Sequence, residues 1–472
     1  MKGDFTRDTF NPAKHFLRVL MQQGRVQLDA DSNEQTAILL HYLQTLAADL
    51  IGPHGGPDAN IGFGILTNVT QTTQLRPAEE AALNDEPTKK AVEQLLGGRD
   101  KNLIDFVITK GRYYVDGVLC ENEDYVLYSA LTHYPGDDLS PGRTNLLFYL
   151  DVWERPISAV EDDSIREVAL GGADTAARSR VEWQIRVWPE KEENRSDRSS
   201  KLTEKQLKEN WADWVSVFQP ANRGRLRAWL KNSEGATASE PCIIHPDARY
   251  RGAENQLYRV EIHRSGAAGE ATFKWSRENG SVTFRILKLA GNRARLAHLG
   301  RDNHLGLKVN DWVEIVDDGI TLQNRADNLL QVAEIEPIDM LVTLKVPDGV
   351  TLPTYDETST RHPYLRRWDH KGDAKAGGAI IVTESDTNWI ALEDNIQIQF
   401  PVQKDTPYRT GDYWLIPART VTGDIEWPKD AKTLPIALPP HGIEHHYAPL
   451  AIWSSPEQIK DARFLFTPLA KK

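Results

Sequence analysis

Cysteine is nearly absent: the 472 residues hold two, Cys120 and Cys242. Their separation fits no zinc-ligand spacing and no secreted disulfide framework, so the simplest reading is two buried thiols. Methionine is almost as scarce, with 3 against 13 Trp, 14 Tyr and 12 Phe, a balance that favours aromatic-rich sheet packing over a helical bundle. No apolar run approaches the 18 or so residues of a membrane-spanning helix. The opening Met1-Lys2-Gly3-Asp4 lacks the basic region, apolar core and small-residue cleavage site of a signal peptide. Synthesis and retention in the cytoplasm are expected. Basic residues are outnumbered 56 to 68, a net charge of −12, which argues against a nucleic-acid binder or an anionic-membrane binder. Nucleophile elbows, His-Glu-x-x-His, phosphate loops and dinucleotide fingerprints are also missing, so the sequence points to no enzyme and calls for no cofactor.

What is present begins with a helix. After Asp31, Ser32 and Asn33, apolar residues fall at Ile38, Leu39, Tyr42, Leu43, Leu46, Ala47 and Leu50, a three-and-four spacing that makes one stripe. Asp31 or Ser32 is placed to cap its first turn, with Glu34 or Gln35 near the capping-box position, and Gly52-Pro53 stops it. Before it, Phe16 to Leu20 and Arg25 to Leu28 flank Gln22-Gln23-Gly24, the pattern of an extended arm with a glycine turn. Gly52 to Gly64 carries five glycines and two prolines and reads as a connector. A second helix is expected from about Pro87 to Leu96.

From there the period drops to two. Leu103 to Thr109, Arg112 to Cys120, Leu146 to Trp153 and Val181 to Trp188 read as strands, with Asp116-Gly117 a turn or bulge. Glu190 to Asn210 reads as a solvated insert, Leu226 to Lys231 as a short helix and Asn232 to Ser239 as a loop. Thr272 to Ile286 holds two strand-like runs around Asn279-Gly280, the strongest short hairpin signal. Trp312 to Val316, Leu329 to Ile335 and Leu341 to Val346 suit a small SH3-like barrel. Gly411-Asp412-Tyr413-Trp414 echoes Asn310-Asp311-Trp312-Val313 and is taken as a shared turn-strand solution.

The residues able to carry chemistry are better explained by structure. His441, His445 and His446 follow tandem prolines, which disfavour the helix a metal site would need, so hydrogen bonding around a turn is the better account. Asp29-Ala30-Asp31-Ser32-Asn33 starts like a calcium loop but has Glu34 where glycine is required and Leu40 where a bidentate glutamate is required, so helix capping explains it. Asp151 with Glu154, and Glu161-Asp162-Asp163, read as solvated acids before they read as a glycosidase pair. Trp153, Trp183, Trp275, Trp312, Trp389 and Trp414 sit in strand-like runs and read as core.

Longer phrases carry a resemblance. Met1-Lys2-Gly3-Asp4-Phe5-Thr6-Arg7-Asp8-Thr9-Phe10, Lys14-His15-Phe16, Arg18 to Asp31 and Asn33-Glu34-Gln35 are similar to an uncharacterised domain family found among contractile injection systems and related phage-tail-like particles. Tyr149 to Arg155, Glu254 to Glu261, Phe273 to Arg277, Leu365 to Asp369, Tyr408 to Trp414 and Pro440 to Tyr447 extend the likeness over nearly the whole chain. The resemblance implies a structural component near a baseplate, as a cage, crown or fibre-attachment subunit, in a particle either released or held in the cell. Implied partners are baseplate, sheath or fibre subunits and further copies of the chain.

The expected fold is mainly β with an N-terminal amphipathic helix and a multi-domain β-sandwich or barrel body that includes the small SH3-like barrel. The expected division is a docking arm at 1–64, a β-rich body at 65–300, the small barrel at 301–352 and a C-terminal β region at 353–472. Phe16, Leu20, Ile38, Leu39, Tyr42, Leu43 and Leu46 are the expected partner-docking residues. Two alternatives stand beside this reading: recognition of a cell-surface glycan by exposed Trp and Tyr faces, and a polysaccharide-degrading enzyme.

Overall fold

The computed structural model describes residues 1–6, 9–69, 75–131, 139–189, 203–219, 223–231, 249–372, 376–404, 406–455 and 458–468. The chain is mainly β, as its aromatic content and period-two runs predict, and the longest helix among the described residues is α1 (Asp29–Ile51). It divides into two compact units, each assembled from three separate stretches. One takes 1–7, 156–178 and 221–443; the other takes 8–155, 179–220 and 444–472. This replaces the consecutive division expected from sequence, because strands distant in the chain pair with one another.

Among the described residues, the unit holding α1 contains three sheets. A four-stranded one has the order Leu465–Phe466, His54–Pro57, Gly111–Val115, Val118–Asn122. A second runs Gln458–Asp461, His445–Ser455, Leu146–Ile157, Arg178–Trp188, so residues near the carboxyl end pair along the strand that begins at Leu146. A small third sheet joins Ile65–Leu66, Val107–Ile108 and Val126–Leu127, the middle strand being much shorter than the run expected at Leu103 to Thr109. Phe63, Phe106, Tyr113, Cys120, Phe148 and Leu150 form the core between them, and the Cys120 thiol is buried; Cys242 lies outside the described residues. Asp116 and Gly117, at φ +48° and +81°, make the two-residue turn between Gly111–Val115 and Val118–Asn122, as Asp-Gly favours.

In the other unit a five-stranded sheet has the order Ile380–Ile381, Thr272–Ser276, Gln256–Arg264, Tyr413–Arg419, Asp424–Ile425. A three-stranded sheet contains Arg227–Leu230, which corrects the expected short helix over Leu226 to Lys231: its alternating burial is that of a strand paired with Ile396–Gln399. A closed barrel runs Thr283–Ala290, Arg293–Leu296, Leu341–Lys345, Leu330–Glu336, Trp312–Val316, Tyr364–Trp368. It is wider than the 301–352 stretch because the strands that close it come from either side. The Asn279-Gly280 turn forms, with φ +50° and +65°, but joins no hairpin: the strand before it belongs to the five-stranded sheet and the strand after it to the barrel.

Of the 190–210 insert, residues 203–210 are described and include the helix Glu204–Glu209, where Leu207 is buried; this corrects a wholly solvated reading. Asn232 to Ser239 lies outside the described residues. Asn310 and Gly411, both at positive φ, occupy equivalent turns before their strands.

Candidate docking surface

The arm and α1 build one surface from the sequence upward. Gly24, at φ +69°, turns the arm, and Arg25 N donates to the Gln22 carbonyl. The helix then starts two residues before the expected cap: Leu28 takes the cap position and Asp31 Oδ2 accepts from Leu28 N at 3.4 Å. The arm lies along the first turns, with Thr9 Oγ1 donating to Glu34 Oε2 at 2.6 Å, Val19 N to Gln35 Oε1 at 2.9 Å, and the Phe10 and His41 rings 5.5 Å apart.

How α1 is mounted decides its role. Its backbone at Gln44 sits directly on Gly117, where any Cβ would collide with the Gln44 carbonyl, and Ile51 lies over Gly55. Gln44, Ala47 and Ala48 are half-buried, whereas Leu39, Tyr42, Leu43, Leu46 and Leu50 are exposed. These five fall within one arc of about 100° at 100° per residue. The apolar stripe therefore faces away from the sheet on which α1 is seated.

Of the seven expected docking residues, Phe16, Leu20, Leu39, Tyr42, Leu43 and Leu46 are exposed, Leu20 by 69% and Tyr42 by 61%. Ile38 is the correction: at 4% exposure it is buried and offers no free surface. Sequence reasoning missed Leu17, Met21, Val26 and Leu28 in the arm and Leu40 on the helix, all exposed. The signal was their apolar character in a segment without period. Among the described residues, twelve of the 27 exposed large apolar side chains fall between Phe16 and Leu50, a concentration rather than a scatter of singles.

The other candidates take structural roles. His445 Nδ1 lies 2.6 Å from Asp151 Oδ1 and His446 Nδ1 lies 3.0 Å from Asp116 Oδ2, so they face carboxylates rather than a turn's backbone. Burial lowers the His446 pKa, but the Asp116 hydrogen bond and charge outweigh it and raise it. Asp151 and Glu154, three apart on one strand, fall on opposite faces, and Glu154 accepts from Ser179 at 2.8 Å. Glu161 accepts from Ser158, Asp162 from Ser164, and Asp163 pairs with Arg166. Trp153, Trp275 and Trp414 are buried; Trp183, Trp312 and Trp389 are half-buried.

Two clusters escaped the sequence reading. Glu254, Glu278 and His304 bring ligand atoms within 4.8 Å of one another, a set able to hold a divalent cation. Burial, aided by the charges of Glu254, Asp369 and Asp4 and opposed by the Gln256 hydrogen bond, lifts the Glu278 carboxyl to about 7. The second cluster is buried except for Lys2, which is half-buried. Lys2 Nζ donates to Glu261 Oε1 at 2.6 Å, Lys274 Nζ to Glu314 Oε1 at 2.7 Å, and Trp368 Nε1 to Glu314 Oε2 at 3.0 Å. Arg259 Nη1 holds the Met1 carbonyl and Asn279 Oδ1, both at 3.1 Å. Burial pushes both carboxyls up, but Lys2, Arg259 and Lys274 hold Glu261 well below its usual range, and Lys274 with Lys2 brings Glu314 down to about 2. Residues 1–3 are thereby built into the unit that holds the barrel.

No helix among the described residues is long and apolar enough to cross a membrane. A β-rich chain with an outward-mounted apolar helix is the class that fold and surface define. The chain belongs to a family of unknown function, DUF6519, whose model matches residues 1–213 and 216–462. No curated protein and no solved structure matches it.

Proposed function

We propose that this chain is a non-enzymatic structural subunit of a phage-tail-like contractile particle, held near the baseplate in several copies and docked through its arm and α1. The observation that carries the docking role is the outward stripe of Leu39, Tyr42, Leu43, Leu46 and Leu50. An amphipathic helix that closes its own core turns its leucine face inward; here Gln44 and Ile51 lie against the body, Ala47 and Ala48 are half-buried, and the leucines are left for another surface. The particle assignment rests on the likeness of the opening phrase, Met1 to Gln35, to proteins of such assemblies.

The test substitutes the stripe and leaves the ends intact, because Lys2 belongs to a buried ion cluster and a truncation from Met1 would disturb both. Leu39→Ser/Leu43→Ser/Leu46→Ser is introduced at the native locus with a tag, and particles are isolated and imaged. Exclusion of a folded variant from sheathed particles is the expected result; incorporation at the wild-type level overturns the docking role.

A further inference from the structure

The arm and the helix differ in charge as well as in conformation. Residues 9–28 carry Lys14, Arg18 and Arg25 and no acid; α1 carries Asp29, Asp31, Glu34 and Asp49 and neither lysine nor arginine. Among the described residues, none of these seven groups makes an ion pair. Glu34 and Asp31 accept hydrogen bonds from Thr9 and the Leu28 amide, and Lys14 stands 5.8 Å from the Phe16 ring. A single contiguous segment thus presents a basic apolar strip and an acidic apolar strip, each lacking its counter-charge.

We infer that the occupant of this surface is a second copy of the chain, the basic arm of each copy lying against the acidic helix of the other with the two leucine stripes packed between. This inference rests on the docking reading above and names the partner. A foreign protein would need only some complementary face, whereas a segment carrying both halves of the complementarity is self-complementary, the condition for a two-fold contact in which one patch meets its own copy. The scale is suitable as well. A standard interface buries about 800 Å² per partner with an apolar core and a polar rim, and a segment that holds twelve exposed large apolar side chains together with charges of both signs supplies the material for both. Charge pairing at such a rim sets partner choice and register while the leucines supply most of the affinity.

The experiment uses the full chain and two charge-reversed forms. One reverses the arm (Lys14→Glu, Arg18→Glu, Arg25→Glu) and the other the helix (Asp31→Lys, Glu34→Lys, Asp49→Lys). Mass is measured by light scattering and sedimentation, with circular dichroism confirming that each form is folded. The wild-type chain is expected to self-associate and each reversed form to do so at least about a hundredfold more weakly. An equimolar mixture of the two is expected to regain association, because each arm then meets a helix of opposite sign on the other form. A third form, Leu43→Glu, disrupts the stripe and is expected to be monomeric with no rescue.

A monomeric wild-type chain at tens of micromolar overturns the inference, and so does a mixture that stays dissociated. The two readings fail separately. A monomeric chain whose stripe variant is still excluded from particles removes the second copy and leaves docking on a different subunit. A self-associating chain whose stripe variant enters particles normally leaves the second copy and removes the docking role.

Discussion

Arg463 and Glu79 are joined by two parallel hydrogen bonds inside the unit that carries α1, Nη1 to Oε1 at 2.8 Å and Nη2 to Oε2 at 2.7 Å. Both side chains are withdrawn from solvent. Arg463 also reaches Asp461 and the Gly62 carbonyl, and Glu79 accepts from Thr109 and from the Arg76 amide. The pair ties the helix Pro77–Leu83 to a segment near the carboxyl end of the chain. Burial lowers the Arg463 pKa, but Glu79 and Asp461 more than reverse this and raise it.

Arg463→Ala leaves the Glu79 carboxylate buried without its main partner and is expected to cost about 3–5 kcal/mol in that unit. Replacing both partners by apolar residues of similar size is expected to cost less, because no lone charge remains. Denaturant unfolding followed by tryptophan fluorescence measures both, and equal losses would show that the charges are not what couples the two segments.

The mounting of α1 predicts opposite effects for neighbouring apolar residues. Ile38→Ala removes a buried side chain and is expected to destabilise by about 2–4 kcal/mol, whereas Leu43→Ala should stay within about 0.5 kcal/mol in the dissociated chain. A large loss at Leu43 under conditions where the protein is monomeric would mean that the stripe is turned inward.

Gly117→Ala tests the seat beneath the helix. The residue sits at φ +81°, which costs an L residue about 1–2 kcal/mol, and the new methyl would strike the Gln44 carbonyl. Faster hydrogen exchange across Asp29–Ile51 is expected, with the closed barrel unaffected. Unchanged exchange would place the helix elsewhere.

The buried cluster around Glu314 predicts an acid limit. Its carboxyl is held near 2 against an ordinary 4.5, so the stabilisation is complete above the unfolded value and is lost as pH falls through the folded one, over roughly pH 4.5 to 2. Lys274→Met removes the cation 2.7 Å away, so acid unfolding of this unit is expected to begin at higher pH. An unmoved acid midpoint would mean that Lys274 does not set the Glu314 pKa.

Much of the local structure was legible. The Asp116-Gly117 turn, the helix Glu86–Gly97 and the strand Trp312–Val316 follow from residue type and spacing, because a tight turn at positive φ and a proline in a first helical turn are decided within a few residues. The errors have one origin. Asn279-Gly280 turns as expected, yet its flanking strands go to different sheets, and Arg227–Leu230 is a strand because Ile396–Gln399 pairs with it. Propensity describes a segment, whereas its partner lies more than a hundred residues away.

The docking residues divide along the same line. Sequence alone determined that residues 16–50 are rich in large apolar side chains, that α1 is a helix with one leucine-rich face, and that arm and helix differ in charge, since all three are properties of composition and a 3.6-residue period. It did not determine which way the face points. That was decided by Gly117, which admits the Gln44 backbone so closely that the side holding Gln44 must lie against the body and the leucines must turn out. Lys2 was decided in the same way, its ammonium finding Glu261 only because the five-stranded sheet and the barrel had already brought Arg259, Lys274 and Glu314 together. Periodicity is written along the chain, but the orientation of a face and the partner of a charge are set by steric fit and desolvation between segments far apart in it.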